Sequence, residues 1–244
     1  MKMITDIQEG LQVMFKAGSC EPVAFEYEKG TPETLCDYIV AEGEHIPVFT
    51  WRYNPRINGL YTSATNVSKE HTLSTLKTLN FAPKTRTLAE ELFRELDIAE
   101  HVLGSEVNSI MGYGNEMAAN FVIMMKNGTM CNLETSVTLP AEANRQSKHT
   151  VFTTDGFICD MVTDNSILQE QVHLFNDGMN PIDYTDDMLL FGLPRDEQDL
   201  CYAIYGILSE HEDREAWKAR VSHLTELVNE ALATLKTGKK YVAG

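Results

Sequence analysis

Hydrophobic positions recur with helical spacing at the start of the chain. Ile7, Leu11, Met14 and Phe15 fall at i, i+4, i+7 and i+8, with Asp6 placed to cap the helix and Gly18 to end it. A short β-prone run, Val23-Ala24-Phe25, follows. Thr31-Pro32 then sets an N-cap before a proline at the first helical position and predicts a helix to about Ala41, after which Ile46 to Trp51 reads as a strand. Residues 7–51 thus alternate helix and strand, the pattern of a parallel α/β layer. Residues 57–68 are polar and carry no clear period, whereas residues 69–79 look helical. The best-defined helix runs from a capping box at Thr87 and Glu90 to Gly104, with Leu88, Leu92, Leu96 and Ala99 as its core stripe.

Beyond Gly104 the period falls to two. Val107 to Met111 is one strand, and residues 119–125 and 130–137 flank Asn127-Gly128, the strongest two-residue hairpin signal. A second hairpin at Asp155-Gly156 joins residues 149–153 to 157–162, and residues 169–175 read as a further strand. These runs predict a consecutive antiparallel sheet. Two helices close the chain, over residues 196–210 and 214–236; the second carries the stripe Trp217, Val221, Leu224, Val228, Leu232 and stops at Gly238. The fold class is therefore α+β, with a mostly antiparallel sheet-and-helix domain over residues 55–244 and a short α/β portion over residues 1–54. Around the first hairpin Asn120, Val122 and Met124 alternate with Phe121, Ile123 and Met125, so both faces are fairly apolar. Such a sheet needs cover on both sides, from helices on one and from a partner subunit on the other.

Composition narrows the function classes. With 36 acidic against 20 basic side chains the formal net charge is −16, which repels phosphate backbones and anionic lipid head groups and argues against nucleic acid or a membrane surface as partner. The five cysteines are scattered, without a Cys-x-x-Cys pair, and read as reduced thiols. No stretch approaches the roughly 20 apolar residues of a membrane span, and no apolar leader follows Met1, which points to the cytoplasm. The seven histidines show no ligand spacing, so no metal site is expected.

Several local phrases resemble the Gfo/Idh/MocA family of sugar and polyol oxidoreductases. Trp51-Arg52-Tyr53-Asn54-Pro55-Arg56 resembles the family's exit from its nucleotide-binding domain, and Leu96-Asp97-Ile98 to Val102-Leu103-Gly104 its helix near the substrate. Phe121 to Leu133 around Lys126-Asn127-Gly128, then Thr153-Thr154-Asp155-Gly156, resembles its sheet, and Ala233 to Gly238 its closing helix. The likeness spans about residues 8–243. It implies a truncated Rossmann-type α/β remnant followed by the family's C-terminal sheet domain. Two departures matter. A Gly-x-Gly-x-x-Gly turn that would seat a dinucleotide pyrophosphate is absent, the nearest match being Gly112-Tyr113-Gly114-Asn115-Glu116-Met117, between antiparallel strands. The family's Glu-Lys-Pro lysine and its helix histidine are also missing. Val23 to Tyr27 stands where the lysine turn falls, with Lys29 displaced, and Arg94 stands at the position aligned with the histidine, where its high pKa rules out proton shuttling.

Candidate site residues follow. Arg52, Asn54 and Arg56 cluster at a strand end, where they either hold a hydroxyl or carboxylate or cap the strand. Arg94, Asp97 and His101 lie at i, i+3 and i+7, either converging on a substrate or forming a salt-bridged face. His101 and Lys29 are the candidate bases; the alternative for Lys29 is an ordinary surface lysine. The resemblance implies a non-catalytic, dimerising or regulatory relative that binds a sugar. It would act as a homodimer through the sheet or with a full-length paralogue, without a cofactor of its own. The alternative is an active carbohydrate oxidoreductase whose NAD or NADP half comes from another chain, or a cofactor-independent carbohydrate enzyme.

Overall fold

The computed structural model describes residues 2–160, 173–176, 193, 195–209 and 213–243. The chain forms two compact units, Met1–Asn54 with Asp186–His223 and Pro55–Thr185 with Leu224–Gly244.

The first unit contains α1 (Lys2–Ala17), a three-stranded sheet of β1 (Phe25–Glu28), β2 (Asp37–Ala41) and β3 (Glu44–Val48), and a single 3-10 turn at Thr50–Tyr53. Later in the chain it gains α4 (Arg195–Leu208) and the first turns of α5 (Arg214–Thr237). Helix α1 begins at Lys2, so Asp6 lies inside it and is not its cap, while Ile7, Leu11 and Phe15 are buried as the spacing requires. Phe15 meets Tyr205 of α4 at 5.4 Å between ring centroids, and Phe49 packs edge-on against Trp217 at 4.9 Å.

The sheet differs from the expected parallel layer, because all its pairings are antiparallel. The cap signal at Thr31-Pro32 is real but local. Thr31 Oγ1 accepts from the Glu33 and Thr34 amides and Thr31 O from Leu35 N, after which Leu35 turns left-handed (φ 63°) and stops the helix at one turn. The chain then enters β2 and reverses through Glu42-Gly43, both at positive φ (55° and 83°), a two-residue hairpin of the primed type with glutamate where asparagine or aspartate usually stands.

The second unit is built on an eight-stranded sheet in the order β10-β9-β8-β4-β7-β6-β5-β11. Its strands are β4 (Leu73–Pro83), β5 (Val107–Gly114), β6 (Ala118–Met125), β7 (Met130–Leu139), β8 (Gln146–Thr153), β9 (Gly156–Cys159), β10 (His173–Asn176) and β11 (Tyr241–Val242). Both predicted hairpins form, and Gly128 adopts φ 86° in the first. The further strand expected over 169–175 appears as β10; residues 161–162 and 169–172 of the expected strands lie outside the described residues.

Two elements depart from expectation. Helix α2 (Pro55–Val67) occupies the stretch without a clear period: Pro55 opens it, and Ile57, Leu60 and Ala64 are buried at i, i+3 and i+7. Residues 73–83, within and beyond the stretch expected to be helical, are β4, which pairs antiparallel with β8 but parallel with β7. Leu73, Leu76 and Leu79 mimic a helical stripe, yet Leu76 shares its buried face with Thr78 and Asn80. The sheet is thus mixed, with β4 inserted between two hairpins.

Helix α3 (Leu88–Leu103) forms as expected. Thr87 and Glu90 make the reciprocal capping box, and Gly104 closes the helix at φ 58°. Helices α2, α3 and the second half of α5 cover one face of the sheet, burying Phe121, Ile123 and Leu133 completely. Where α5 crosses β5, Gly112 donates its amide to Thr234 Oγ1 (2.9 Å), and a Cβ there would come within 2.6 Å of Phe121 Cε1 and of Thr234 Oγ1. Gly112→Ala is therefore expected to destabilise this unit by about 1–3 kcal/mol through overpacking; an unchanged urea midpoint would contradict the fit. The other face presents Val122, Met124, Met130, Phe152 and Phe157 among Lys77, Asn132 and Glu134, with Val122, Phe152 and Phe157 each more than a third exposed.

Candidate functional site

The apolar stripe of α3 carries an anomaly. Positions 88, 91, 92, 95, 96, 99, 102 and 103 all face inward, and two of them, Glu91 and Glu95, are carboxylates with 0% and 1% exposure. A buried carboxylate is tolerated only when paired, and the elements around it supply the partners. His149 on β8, fully buried, sits between two acids: Nε2 lies 3.0 Å from Glu95 Oε2 and Nδ1 lies 2.7 Å from Asp160 Oδ2. Asp160, just past β9, also accepts from the His149 amide (2.7 Å) and from Arg56 Nη2 (2.8 Å), and Arg56 donates in turn to Ser147 O. Arg94 closes the run by donating to Glu95. The chain of contacts is Arg56, Asp160, His149, Glu95, Arg94.

One turn earlier on α3, Glu91 is gripped by Arg145 in a two-pronged pair (2.8 Å each), by Arg86 at 3.3 Å and by Asn80 Nδ2 at 2.8 Å. Arg86 also reaches Glu90 at 3.1 Å.

The electrostatics follow from this geometry. Burial pushes the His149 pKa down, but the Asp160 and Glu95 carboxylates outweigh it and lift it to about 9. With both ring nitrogens facing carboxylates the ring is an imidazolium donating from each. Burial raises the Asp160 carboxyl, yet His149 and Arg56 hold it at about 2; Glu91, raised by burial, is likewise brought to about 2 by Arg145, Asn80 and Arg94. Arg94 is shifted down from the ordinary arginine value, first by burial and then by Arg145 and Arg56, against the pull of Glu95 and Glu91.

The structure distributes the residues singled out in the sequence. Arg56 and Arg94 enter the run of charges. Asp97, fully buried, and His101, half-buried, lie further along α3, where His101 stacks on Tyr61 of α2 with ring centroids 4.1 Å apart. In the first unit the Arg52 guanidinium lies over the Phe49 ring (5.3 Å), and Asn54 donates to Asp199 Oδ2 at 2.9 Å. Lys29 is exposed after β1. Glu91, Glu95, Arg145, His149 and Asp160 were not singled out, although acidic residues inside an apolar stripe are a readable signal.

A concavity of about 800 Å³ lies among Tyr61, His71, Val102, Asn127 and neighbouring hydroxyl residues. Several of those hydroxyls are already engaged: Ser68 on Thr65 O, Ser74 on Phe152 O, Thr129 on Leu73 O. Among the described residues no three His, Cys, Asp or Glu side chains are arranged to hold a metal ion, and no helix is long and apolar enough to cross a membrane. The glycines of the Gly112-Tyr113-Gly114 stretch are engaged within the sheet unit. The Gly112 amide is taken by Thr234, and Gly114, at φ 133°, lies against Ala118 O at the hairpin end.

No family model and no curated protein sequence matches the chain. Solved structures do. An oxidoreductase from Agrobacterium radiobacter in complex with NAD+, L-tartaric acid and magnesium matches with a TM-score of 0.63 at 15% identity, over 79% of this chain and 63% of its own. A myo-inositol dehydrogenase from Corynebacterium glutamicum matches with a TM-score of 0.56 at 14% identity, over 80% and 63%, and a scyllo-inositol dehydrogenase from Lactobacillus casei with 0.56 at 10%, over 80% and 62%. The chain spans about 63% of the length of the first two and 62% of the third. Over four-fifths of its length, this chain has the fold of the Gfo/Idh/MocA-type oxidoreductases.

Proposed function

We propose that this chain is a non-catalytic subunit of the dehydrogenase fold, which pairs with a second copy through the open sheet face and holds a sugar-like ligand near Arg94. The observation that carries the reading is the state of the groups where alcohol oxidation needs a proton acceptor. Arg94, at the position where the resemblance places a histidine, keeps its proton at any working pH. The buried histidine of the same region, His149, has both nitrogens committed to carboxylates. These groups orient and neutralise one another; neither is poised to accept a hydroxyl proton. The ligand class is supported by the inositol dehydrogenases and the tartrate complex that share the fold.

Self-association is supported by the open face, where apolar side chains sit beside both lysine and glutamate. A two-fold axis can set Lys77 or Lys148 of one copy against Glu134 of the other while Val122, Phe152 and Phe157 lose their exposure. No nicotinamide nucleotide binds to the chain by itself in this reading. Light scattering on the purified chain, with and without NADH or NADPH, tests both parts. Twice the 27.5 kDa of one chain, indifferent to nucleotide and lost in Val122→Asp, is expected. A monomer, or a saturable rise in nucleotide fluorescence, would defeat the corresponding half.

A further inference from the structure

We infer that the concavity at the C-terminal end of α3 is a binding site for a neutral, polyhydroxylated ligand of mono- or disaccharide size, separate from the region around Arg94. At 1.5 Å per residue, Leu103 at its wall lies roughly 13 Å along α3 from Arg94. The volume of about 800 Å³ falls in the range of small-molecule sites, roughly 300–1,000 Å³. The walls are braced across elements. Asn127 donates from Nδ2 to Leu103 O (3.4 Å) and from its amide to Ser105 Oγ (3.1 Å), which ties the hairpin turn to the end of α3. Thr129 donates to Leu73 O at 3.3 Å. The Thr72 amide donates to Thr154 Oγ1 (3.3 Å), and Thr72 O accepts from the Thr154 amide (3.1 Å). The hollow is thus formed before a ligand arrives, so little ordering of the protein opposes binding.

The lining decides the class of ligand. Among the described residues no aspartate, glutamate, lysine or arginine lines the hollow, although these residues make up 23% of the chain. His71 is its one imidazole and faces Asp155 at 3.7 Å. An anion would meet no lysine or arginine there, and it would meet the carbonyl end of α3, the negative end of the helix dipole. A cation would find no carboxylate in the lining to balance it. Val102 O and the hydroxyls of Tyr61, Thr65 and Thr72 make no hydrogen bond with any described residue. Ligand hydroxyls can donate to that carbonyl and exchange hydrogen bonds with the three side chains without bringing in a charge. An apolar ligand would cut the same groups off from water and leave them unmatched. Tyr61 adds a platform. Its ring is 37% exposed and stacks on His101 through one face, at 4.1 Å and 17° between planes, which leaves the other for the C–H face of a pyranose.

Saturation-transfer NMR on the whole chain with methyl β-D-glucopyranoside, maltose and gluconate tests the assignment. The glucoside or maltose is expected to bind saturably, with the strongest transfer to its ring C–H protons, and more tightly than gluconate. Tyr61→Ala should weaken binding by about fivefold or more, the worth of one aromatic contact. Tyr61→Phe keeps the ring and should stay within about threefold of the unaltered chain, the worth of one neutral hydrogen bond. An equal loss in both variants would overturn the stacking on Tyr61. Gluconate bound as tightly as the neutral sugars would overturn the neutral assignment. Sugar binding that Tyr61→Ala leaves unchanged would place the ligand elsewhere, the Arg94 region included, and so overturn this site without touching the function proposed above. Saturable binding of neither neutral sugar also overturns it.

Discussion

Asp160→Ala is expected to lower the unfolding free energy of the sheet unit by about 3–5 kcal/mol, the largest effect of any single substitution argued from this fold. The carboxylate is fully buried and accepts three hydrogen bonds, from the Arg56 guanidinium, the His149 amide and the His149 ring. Its removal leaves two cations facing each other across the space it filled, on side chains with 8% and 0% of their area exposed. Since domains are stable by only about 5–15 kcal/mol, the loss is a third or more of the total and should appear as a large drop in urea midpoint. Asp160→Asn keeps the shape and one acceptor and should lose roughly half as much. A loss under about 1 kcal/mol for alanine would mean that water reaches the site and screens the cations. Replacing Arg56, Asp160, His149 and Glu95 together by apolar residues should be far milder than Asp160→Ala alone, because breaking a buried pair costs more than never having buried it.

Much of the second unit was legible because its signals are local. The Thr87/Glu90 capping box, the Gly104 stop and the Asn127-Gly128 turn each act within a few residues, and each forms as read. Where the reading failed, a tertiary partner decided. Residues 73–83 carry leucines at helical spacing, but they lie between β7 and β8, and a strand there completes the ladder of two hairpins that are otherwise unconnected. Thr31-Pro32 caps one turn, since Leu35 turns left-handed and β2 pairs with β1 and β3 on either side.

The site was half legible for the same reason. Arg56 and Arg94 stand out as charged residues in conspicuous phrases. His149 is a single polar residue on a strand and Asp160 lies just past one, and only the folding of β8 and β9 under α2 shows that they face inward with Val151 and Ile158. Glu91 and Glu95 offered a sequence clue in sharing a stripe with Leu88, Leu92 and Leu96. What the sequence lacks is any indication of which cations meet them.

The same run of charges sets the pH range of stability. His149 binds its proton more tightly folded, at about 9, than at its ordinary 6.5, so its contribution is complete below pH 6.5 and disappears as pH rises towards 9. By linkage that is on the order of 3 kcal/mol lost across the interval. The carboxylates act in the opposite sense. Asp160 and Glu91 fall from 3.8 and 4.5 to about 2 on folding, so their contribution is complete above about pH 4.5 and is lost as pH falls towards 2. Stability should therefore plateau between about pH 4.5 and 6.5 and decline on both sides, which urea midpoints from pH 3 to 9.5 would trace. His149→Gln should be less stable on the plateau yet lack the alkaline decline, because no imidazolium remains to lose its proton, while the acid decline owed to Glu91 persists. A wild-type profile that stays level from pH 6.5 to 9 would mean that His149 is neutral when buried.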